Sequence, residues 1–295
     1  RSLVGSEMCI RDRYWGDQCN ANRPSYAGSP HAAITNKNAW NYTWENILSY
    51  NTTIAKDHNI GGSVITSWNK NQNDSSLAAA SGQMVDRWSF WRLASGASQH
   101  VESDFAQTQK MSFAVRFNYS YKGKYLFTFS NRWDGVSQFS AGHKWDSFPA
   151  GAIAWRISDE PFMNVAKNWL NNLKLRVGWG QNGNQRIDRD APLTLIGTNN
   201  ENQWYFGNGY SQGYVPTYVG NADIKWETSQ QTNIGLDMSF FKNSLDVSMD
   251  FYVKKTSDML LNMPIPSFGA FPNSPFFNAG DLKNTGFEIV VNYRN

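Results

Sequence analysis

Apolar and polar side chains alternate strictly along most of this chain. Met111, Phe113, Val115, Phe117, Tyr119 and Tyr121 are separated by Ser112, Ala114, Arg116, Asn118 and Ser120. The same pattern runs through Ile153, Trp155 and Ile157, through Leu173, Leu175, Val177 and Trp179, and through Ile234, Leu236, Met238 and Phe240. It returns at Leu245, Val247, Met249, Phe251 and Val253, and at Phe287, Ile289, Val291 and Tyr293. A period of two puts successive side chains on opposite faces of a strand, whereas a helix needs a period near 3.6. The pattern predicts strands at 44–54, 59–70, 106–121, 124–134, 145–157, 170–182, 224–240, 244–257 and 284–295. Many of these exceed the typical soluble strand of about 5–6 residues and match the ~9–11 residues of a tilted membrane strand.

The joins between strands sort by length. Short joins at 55–58, Lys122-Gly123 and 241–243 alternate with long ones at 71–105, 134–145, 183–223 and 258–283. Up-and-down membrane barrels keep short turns on the periplasmic side and long loops outside. The medium join at 158–169 carries Pro161 and the apolar set Phe162, Val165, Ala166 and Leu170, predicting a short helix at the periplasmic rim. The expected fold class is therefore all-β, an antiparallel up-and-down transmembrane β-barrel segment. Bacterial barrels have an even strand number, so about nine strands are expected to be an open fragment of a larger barrel.

Composition agrees with one face in lipid. Aromatics make up 15% of the chain, yet mean hydropathy is −0.56. A strand with one apolar and one polar face reconciles the two, and Tyr119, Tyr121, Tyr125, Trp133 and Trp155 fit an interfacial girdle. Arg116, Lys174, Arg176, Asp237, Asp246, Asp250 and Glu288 fall on the polar side and suit a hydrated or plugged lumen. Alternation does not say which face is outermost. A soluble, β-rich carbohydrate-binding module with an aromatic core stays open as an alternative, as does a passive porin-type barrel.

Residues 1–13, RSLVGSEMCIRDR, differ from all that follows and resemble a translated sequencing adapter. They are expected to be non-native, leaving 14–295 as part of a barrel domain. The last residues, EIVVNYRN, stop in mid-strand, so both true termini are expected to lie elsewhere.

Candidate chemistry is sparse. The net charge of +3, from 27 basic and 24 acidic residues, and the lack of basic runs argue against nucleic acid. Cys9 and Cys19 lack metal-ligand spacing, and His31, His58, His100 and His143 are dispersed, so no metal or cofactor is expected. Single aspartates in RWDG and KWDSF read as ordinary barrel residues rather than a glycosidase pair. GWGQNGNQR lacks the Lys-Ser/Thr of a phosphate loop; its glycines read as strand bends, with Asn182-Gly183 as a turn. No nucleophile or zinc-protease motif appears, so no catalytic residue is assigned. The candidate substrate-binding residues are the loop aromatics Trp204, Tyr205, Phe206, Tyr210, Tyr214 and Tyr218, whose flat faces beside Asn and Gln suit sugars or peptides.

Several long stretches resemble successive barrel segments of SusC/RagA-type TonB-linked transporters. They are YSYKGKYLFTFSNRWDGVSQF, FPAGAIAWRISDEPF, NNLKLRVGWGQNGNQRI, IKWETSQQTNIGLDMSFFKNSLDVSMDFYVKKTSDMLLNMPIP and NAGDLKNTGFEIVVNY, in one order from about 59 to 295. The resemblance implies a 22-stranded outer-membrane barrel with an N-terminal plug, capped by a SusD-like lipoprotein and driven by the TonB–ExbB–ExbD complex. It further implies import of oligosaccharides or peptides, with no enzymatic activity and no cofactor. Neither plug nor TonB-binding box is visible in this sequence.

Overall fold

The computed structural model describes residues 2–15, 31–83, 86–197, 203–207, 209–264 and 274–294. Among the described residues there are sixteen strands: β1 (Ser2–Trp15), β2 (His31–Ile54), β3 (His58–Gln83), β4 (Gly96–Tyr121), β5 (Tyr125–Val136), β6 (Trp145–Arg156), β7 (Leu170–Asn184), β8 (Leu195–Gly197), β9 (Gln203–Phe206), β10 (Gly209–Gln212), β11 (Val215–Tyr218), β12 (Glu227–Phe240), β13 (Leu245–Ser257), β14 (Leu260–Asn262), β15 (Phe276–Asn278) and β16 (Leu282–Tyr293). Ten of them form one sheet in the order β1-β2-β3-β4-β5-β6-β7-β12-β13-β16. Its neighbours follow chain order apart from strands contained in loops, as an up-and-down meander requires. All nine predicted strands are found in this sheet, and β1 is a further member.

The larger unit comprises residues 45–67 and 110–295. Its register sorts the two faces into rows. One row reads Tyr119, Phe127, Ile153, Val177, Ile234, Phe251 and Phe287, each directly opposite the next. The row beside it, on the other face, reads Ser120, Leu126, Ala154, Arg176, Gly235, Asp250 and Glu288. A slip of one residue between any two strands would mix these rows, so the face pattern and the register fix each other. Among the described residues nothing covers the apolar rows: Phe127, Phe129, Ile153, Ile234, Phe251 and Ile289 are all exposed. Water does not tolerate an apolar surface of this extent on a soluble monomer.

The smaller unit comprises residues 1–44 and 68–109. Here β1 pairs with the first part of β2 from Ser2↔Trp44 to Trp15↔His31. Asn69 donates to Thr43 Oγ1 at 2.8 Å, Asn71 donates to Asn69 at 3.1 Å, and Lys70 lies over the Trp40 ring. A 3-10 segment at Asp86–Ser95 is held by the Gln83 amide, which donates to the Ser89 and Arg92 carbonyls.

Two sequence expectations need correction here. The long join at 71–105 is mostly strand, because β3 continues to Gln83 and β4 begins at Gly96. The run NQNDSS, at 71–76, is polar on both faces, so it carries no alternation to announce a strand. Asn182-Gly183 is not a turn: both residues lie in β7 and pair with Ser229 and Thr228. Gly183 leaves room for the Phe148 ring, which a Cβ there would meet at 2.1 Å. The short helix expected at the rim is there in 3-10 form, as Ile157–Asp159 and Pro161–Ala166, the second opened by Pro161.

Candidate functional site

The long connections of the larger unit are built around a core of their own. Val136, Phe139, Phe148, Ile187, Ala191, Ile224 and Trp226 are buried together, with Leu260 and Phe276 packed against them. Phe139 and Phe148 each place a ring centroid 5.4 Å from Trp226, in tilted and edge-on geometry. Aromatic pairs of this kind add about 0.5–1.5 kcal/mol beyond burial. The Trp226 indole N–H donates to the Lys144 carbonyl at 3.3 Å, and the Gln138 amide donates to the Ile187 carbonyl at 2.8 Å. The Asn278 side chain accepts from Lys225 N–H and donates to Lys225 C=O, both at 2.9 Å. That clamp takes the backbone groups a ladder would use, so residues 224–226 leave the sheet and β12 begins at Glu227. The predicted start of that strand at 224 is thereby corrected. Ile224 and Trp226 share the parity of the apolar row, which made them look like more of the same strand.

The candidate aromatics lie in or beside two small antiparallel strand pairs in the connection between β7 and β12. β9 pairs with β10, setting Tyr205 opposite Tyr210 and Trp204 opposite Ser211. β8 pairs with β11, setting Leu195 opposite Tyr218. Tyr205 and Tyr214 are 65% and 73% exposed. Tyr218 is different: its hydroxyl is buried, and burial pushes its ionisation up from the ordinary phenol value. The side chains of Trp204, Phe206 and Tyr210 lie outside the described residues. Leu193 and Ile196, in the same connection, are also exposed.

The polar face of the sheet carries a network. The Arg176 guanidinium donates to both Asp237 oxygens at 2.8 Å and to Asp250 at 3.2 Å. Ser248 donates to Asp237 at 2.9 Å. Arg176 and Asp250 both stand opposite Gly235, and a Cβ there would meet the guanidinium at 2.7 Å and the carboxylate at 2.5 Å. Bidentate, partly desolvated pairs like this fix side-chain geometry. Asp134, from RWDG, is buried against Arg132 at 2.8 Å and Lys110 at 3.9 Å. Asp146, from KWDSF, faces it in register and accepts from Ser147 N–H at 2.7 Å.

The short-turn end is tied turn to turn. Lys122 N–H donates to the Asp57 carbonyl at 2.7 Å, Arg156 N–H to Lys124 at 2.8 Å, and Phe241 N–H to Trp169 at 2.9 Å. Glu160 accepts from the Tyr125 hydroxyl at 2.7 Å, the Trp155 indole at 3.2 Å and the Lys124 ammonium at 3.2 Å. Hydrogen bonds from Tyr125 and Trp155, then from Lys124, hold its carboxyl below the ordinary glutamate value against the opposing effect of desolvation. Tyr121, Tyr125 and Trp155 stack in sequence with centroids 6.3 Å apart. At the other end of β5, Trp133 sits opposite Phe113, which stacks on Trp145. Eight residues at ~3.3 Å separate Tyr125 from Trp133, or about 20 Å across a bilayer once a strand tilt near 40° is allowed for. Two aromatic belts thus bracket an apolar band of membrane dimensions.

His58 bonds the Tyr119 hydroxyl at 2.8 Å, and exposed His100 faces Glu102 at 3.6 Å. Among the described residues no group of three possible metal ligands occurs.

The family model described as TonB dependent receptor-like, beta-barrel matches residues 11–294. The chain belongs to this family. It is 35% identical over 265 residues to a TonB-dependent receptor of Formosa agariphila, covering 90% of this chain and 26% of that protein. It is 40% identical over 184 residues to the TonB-dependent receptor SusC of Bacteroides thetaiotaomicron, covering 62% of this chain and 18% of that one. A solved structure of the RagAB peptide importer in its closed-closed state superposes with a TM-score of 0.82 at 25% identity, covering 100% of this chain and 32% of that one. The chain spans about a quarter of the length of the curated relatives it matches. The SusC/RagA resemblance thus holds, and the sheet is a stretch of outer-membrane barrel wall. The family is one of receptors and transporters. Its apolar rows face lipid, its polar network faces the lumen, and its long loops face outward.

Proposed function

We propose that this protein forms part of an outer-membrane importer that takes up oligosaccharides or peptides. It works with a SusD-like surface lipoprotein and draws energy from the TonB–ExbB–ExbD complex. The observation that carries the reading is the likeness of the whole chain to a RagAB peptide importer at 25% identity. The similarity to SusC supports the same reading. The loop architecture gives it a physical basis. A buried core at Phe139, Phe148 and Trp226 makes the outer connections a firm platform, and firm elements hold binding residues more accurately than loose ones.

Leu193, Ile196 and Tyr214 offer exposed apolar and aromatic surface of the kind enriched at protein interfaces, suited to a lipoprotein lid. Tyr205 and its neighbours in the β9–β10 hairpin supply flat faces for sugar rings or peptide side chains. Affinity capture from detergent-solubilised outer membranes, followed by an uptake assay with labelled peptides and oligosaccharides, tests the proposal. A stoichiometric lipoprotein should co-purify, and Tyr205→Ala with Tyr214→Ala should lower uptake by roughly tenfold, as expected when about 1–1.5 kcal/mol of contact is lost. Capture without any lipoprotein, together with unchanged uptake by the double variant, would refute it.

A further inference from the structure

The polar face of the wall is hollowed near the short turns. Asn51 and Thr53 of β2, Asn59 of β3, Asn118 and Ser120 of β4 and Thr128 of β5 surround a space of about 470 Å³. That volume falls within the ~300–1,000 Å³ of ordinary ligand sites. Tyr119 and Phe127 border it, but alternation turns their rings to the apolar face. Among the described residues none of the lining side chains is charged. Two of the amides have their oxygens taken. Asn59 Oδ1 accepts from the Thr53 hydroxyl at 2.7 Å. Asn118 Oδ1 accepts from the Thr128 hydroxyl at 3.1 Å and from Arg116 Nε at 3.3 Å. These bonds fix how each amide lies and leave its NH2 group as a spare donor. Gly61 makes room for the third amide, since a Cβ there would run into the Asn51 oxygen.

Spare donors with neither charge nor an aromatic face call for a neutral ligand rich in acceptors. A sugar ring gains most from a flat aromatic side chain to stack on, and none is turned into this hollow. An extended peptide needs only partners for its carbonyls, which recur on one side every second residue, about 6.7 Å apart. Wall strands display their side chains with that same period, so Asn118 and Ser120 of β4 stand one peptide repeat apart. We propose that this hollow binds the main chain of an imported peptide in extended form, at the periplasmic end of the lumen. Asn59, Asn118 and Ser120 donate to its carbonyls irrespective of its side chains, and Leu126 supplies an apolar edge. The inference rests on the importer reading and narrows it to peptides, at a place separate from the outer connection that carries Tyr205 and Tyr214.

The test uses the full-length receptor in the outer membrane of energised cells, with a photoreactive phenylalanine replacing Leu126, which lines the hollow without donating. A capped, uncharged alanine–serine peptide is supplied in one arm and maltoheptaose in the other. The peptide should cross-link at this position and be taken up. Asn59→Asp with Asn118→Asp keeps the oxygens that Thr53, Thr128 and Arg116 use and removes both spare donors. Cross-linking and peptide uptake should fall about tenfold, the size expected for two lost neutral hydrogen bonds. Asn172→Asp, which adds a charge to the same face of β7 outside the hollow, should change neither. Heat-modifiable gel mobility checks that each variant is folded. Equal cross-linking by wild type and double variant, cross-links to the receptor's own chain alone, or uptake of maltoheptaose without the peptide would overturn the proposal. A wild type that takes up neither solute would overturn the importer reading, and this inference with it.

Discussion

Two parts of the larger unit bury aromatic side chains in opposite ways. Around Trp226 the rings point inward and are covered by protein, with Phe139 at 1% and Trp226 at 3% exposure. Along β4 to β16 the rings point outward and nothing described covers them; Phe287 is 60% exposed. The contrast is one of solvent. Loops in water must make their own apolar interior, while strands in hydrocarbon have one supplied, and their remaining obligation is to pair every backbone group. Loss of an aromatic should therefore open a cavity in the first region and be filled by lipid in the second.

The sharpest way to break this comparison is Trp226→Ala. Removing a buried Trp from a protein core costs about 3–5 kcal/mol. The outer connections at 137–144, 185–197, 209–226, 258–264 and 274–281 should lose hydrogen-exchange protection while the wall strands keep theirs. Concerted loss in both would mean that loops and wall form one cooperative unit. Next comes Phe129→Arg, midway between the two aromatic belts of β5. A charge at mid-bilayer on the lipid face costs ~2–4 kcal/mol, whereas the neighbouring Thr128→Arg, on the lumen face, should cost less than about 1 kcal/mol. Urea titration of liposome-inserted protein measures both, and equal costs would remove the assignment of faces.

Gly183→Ala is smaller in scale. The new Cβ would collide with the Phe148 ring, and overpacking of this kind costs ~1–3 kcal/mol, confined to the loop core. Altered exchange near Phe148 alone is the expected readout.

The mildest effect concerns the short-turn end. The carboxyl of Glu160 ionises below its ordinary value in the folded protein, so its contribution is present above the usual glutamate range. It is lost as pH falls through that range and below. Glu160→Gln should flatten the acid limb of Trp155 fluorescence in this window, leaving neutral pH nearly unchanged. An identical acid limb in both proteins would rule out this role for Glu160.

Much of the wall was legible because hydrocarbon imposes a rule that reads along one dimension. Each residue of β5, β7, β12 or β13 has to be apolar or polar according to its parity, so strand identity, length and face follow from spacing. The polar Asn-rich stretch of β3 escaped this reading, since a strand wet on both sides has no parity to display. The candidate aromatics were chosen for composition, and the fold sorts Tyr205 and Tyr214 to the surface and leaves Tyr218 half-buried with its hydroxyl covered, a distinction that no local pattern carries. The loop core was missed for a related reason: Phe139, Phe148, Ile187, Ile224 and Trp226 come from distant segments and share no period.

By itself the sequence determined the alternation and the strand order of a meander, because these depend on neighbours one or two residues apart. Only the tertiary structure decided which loop aromatics form the platform, how Arg176 bridges Asp237 and Asp250 across Gly235, and how Asn51, Asn59 and Asn118 meet around one hollow. Those features join residues tens of positions apart, and their energies come from contacts that exist only once register and loop closure have brought the partners together.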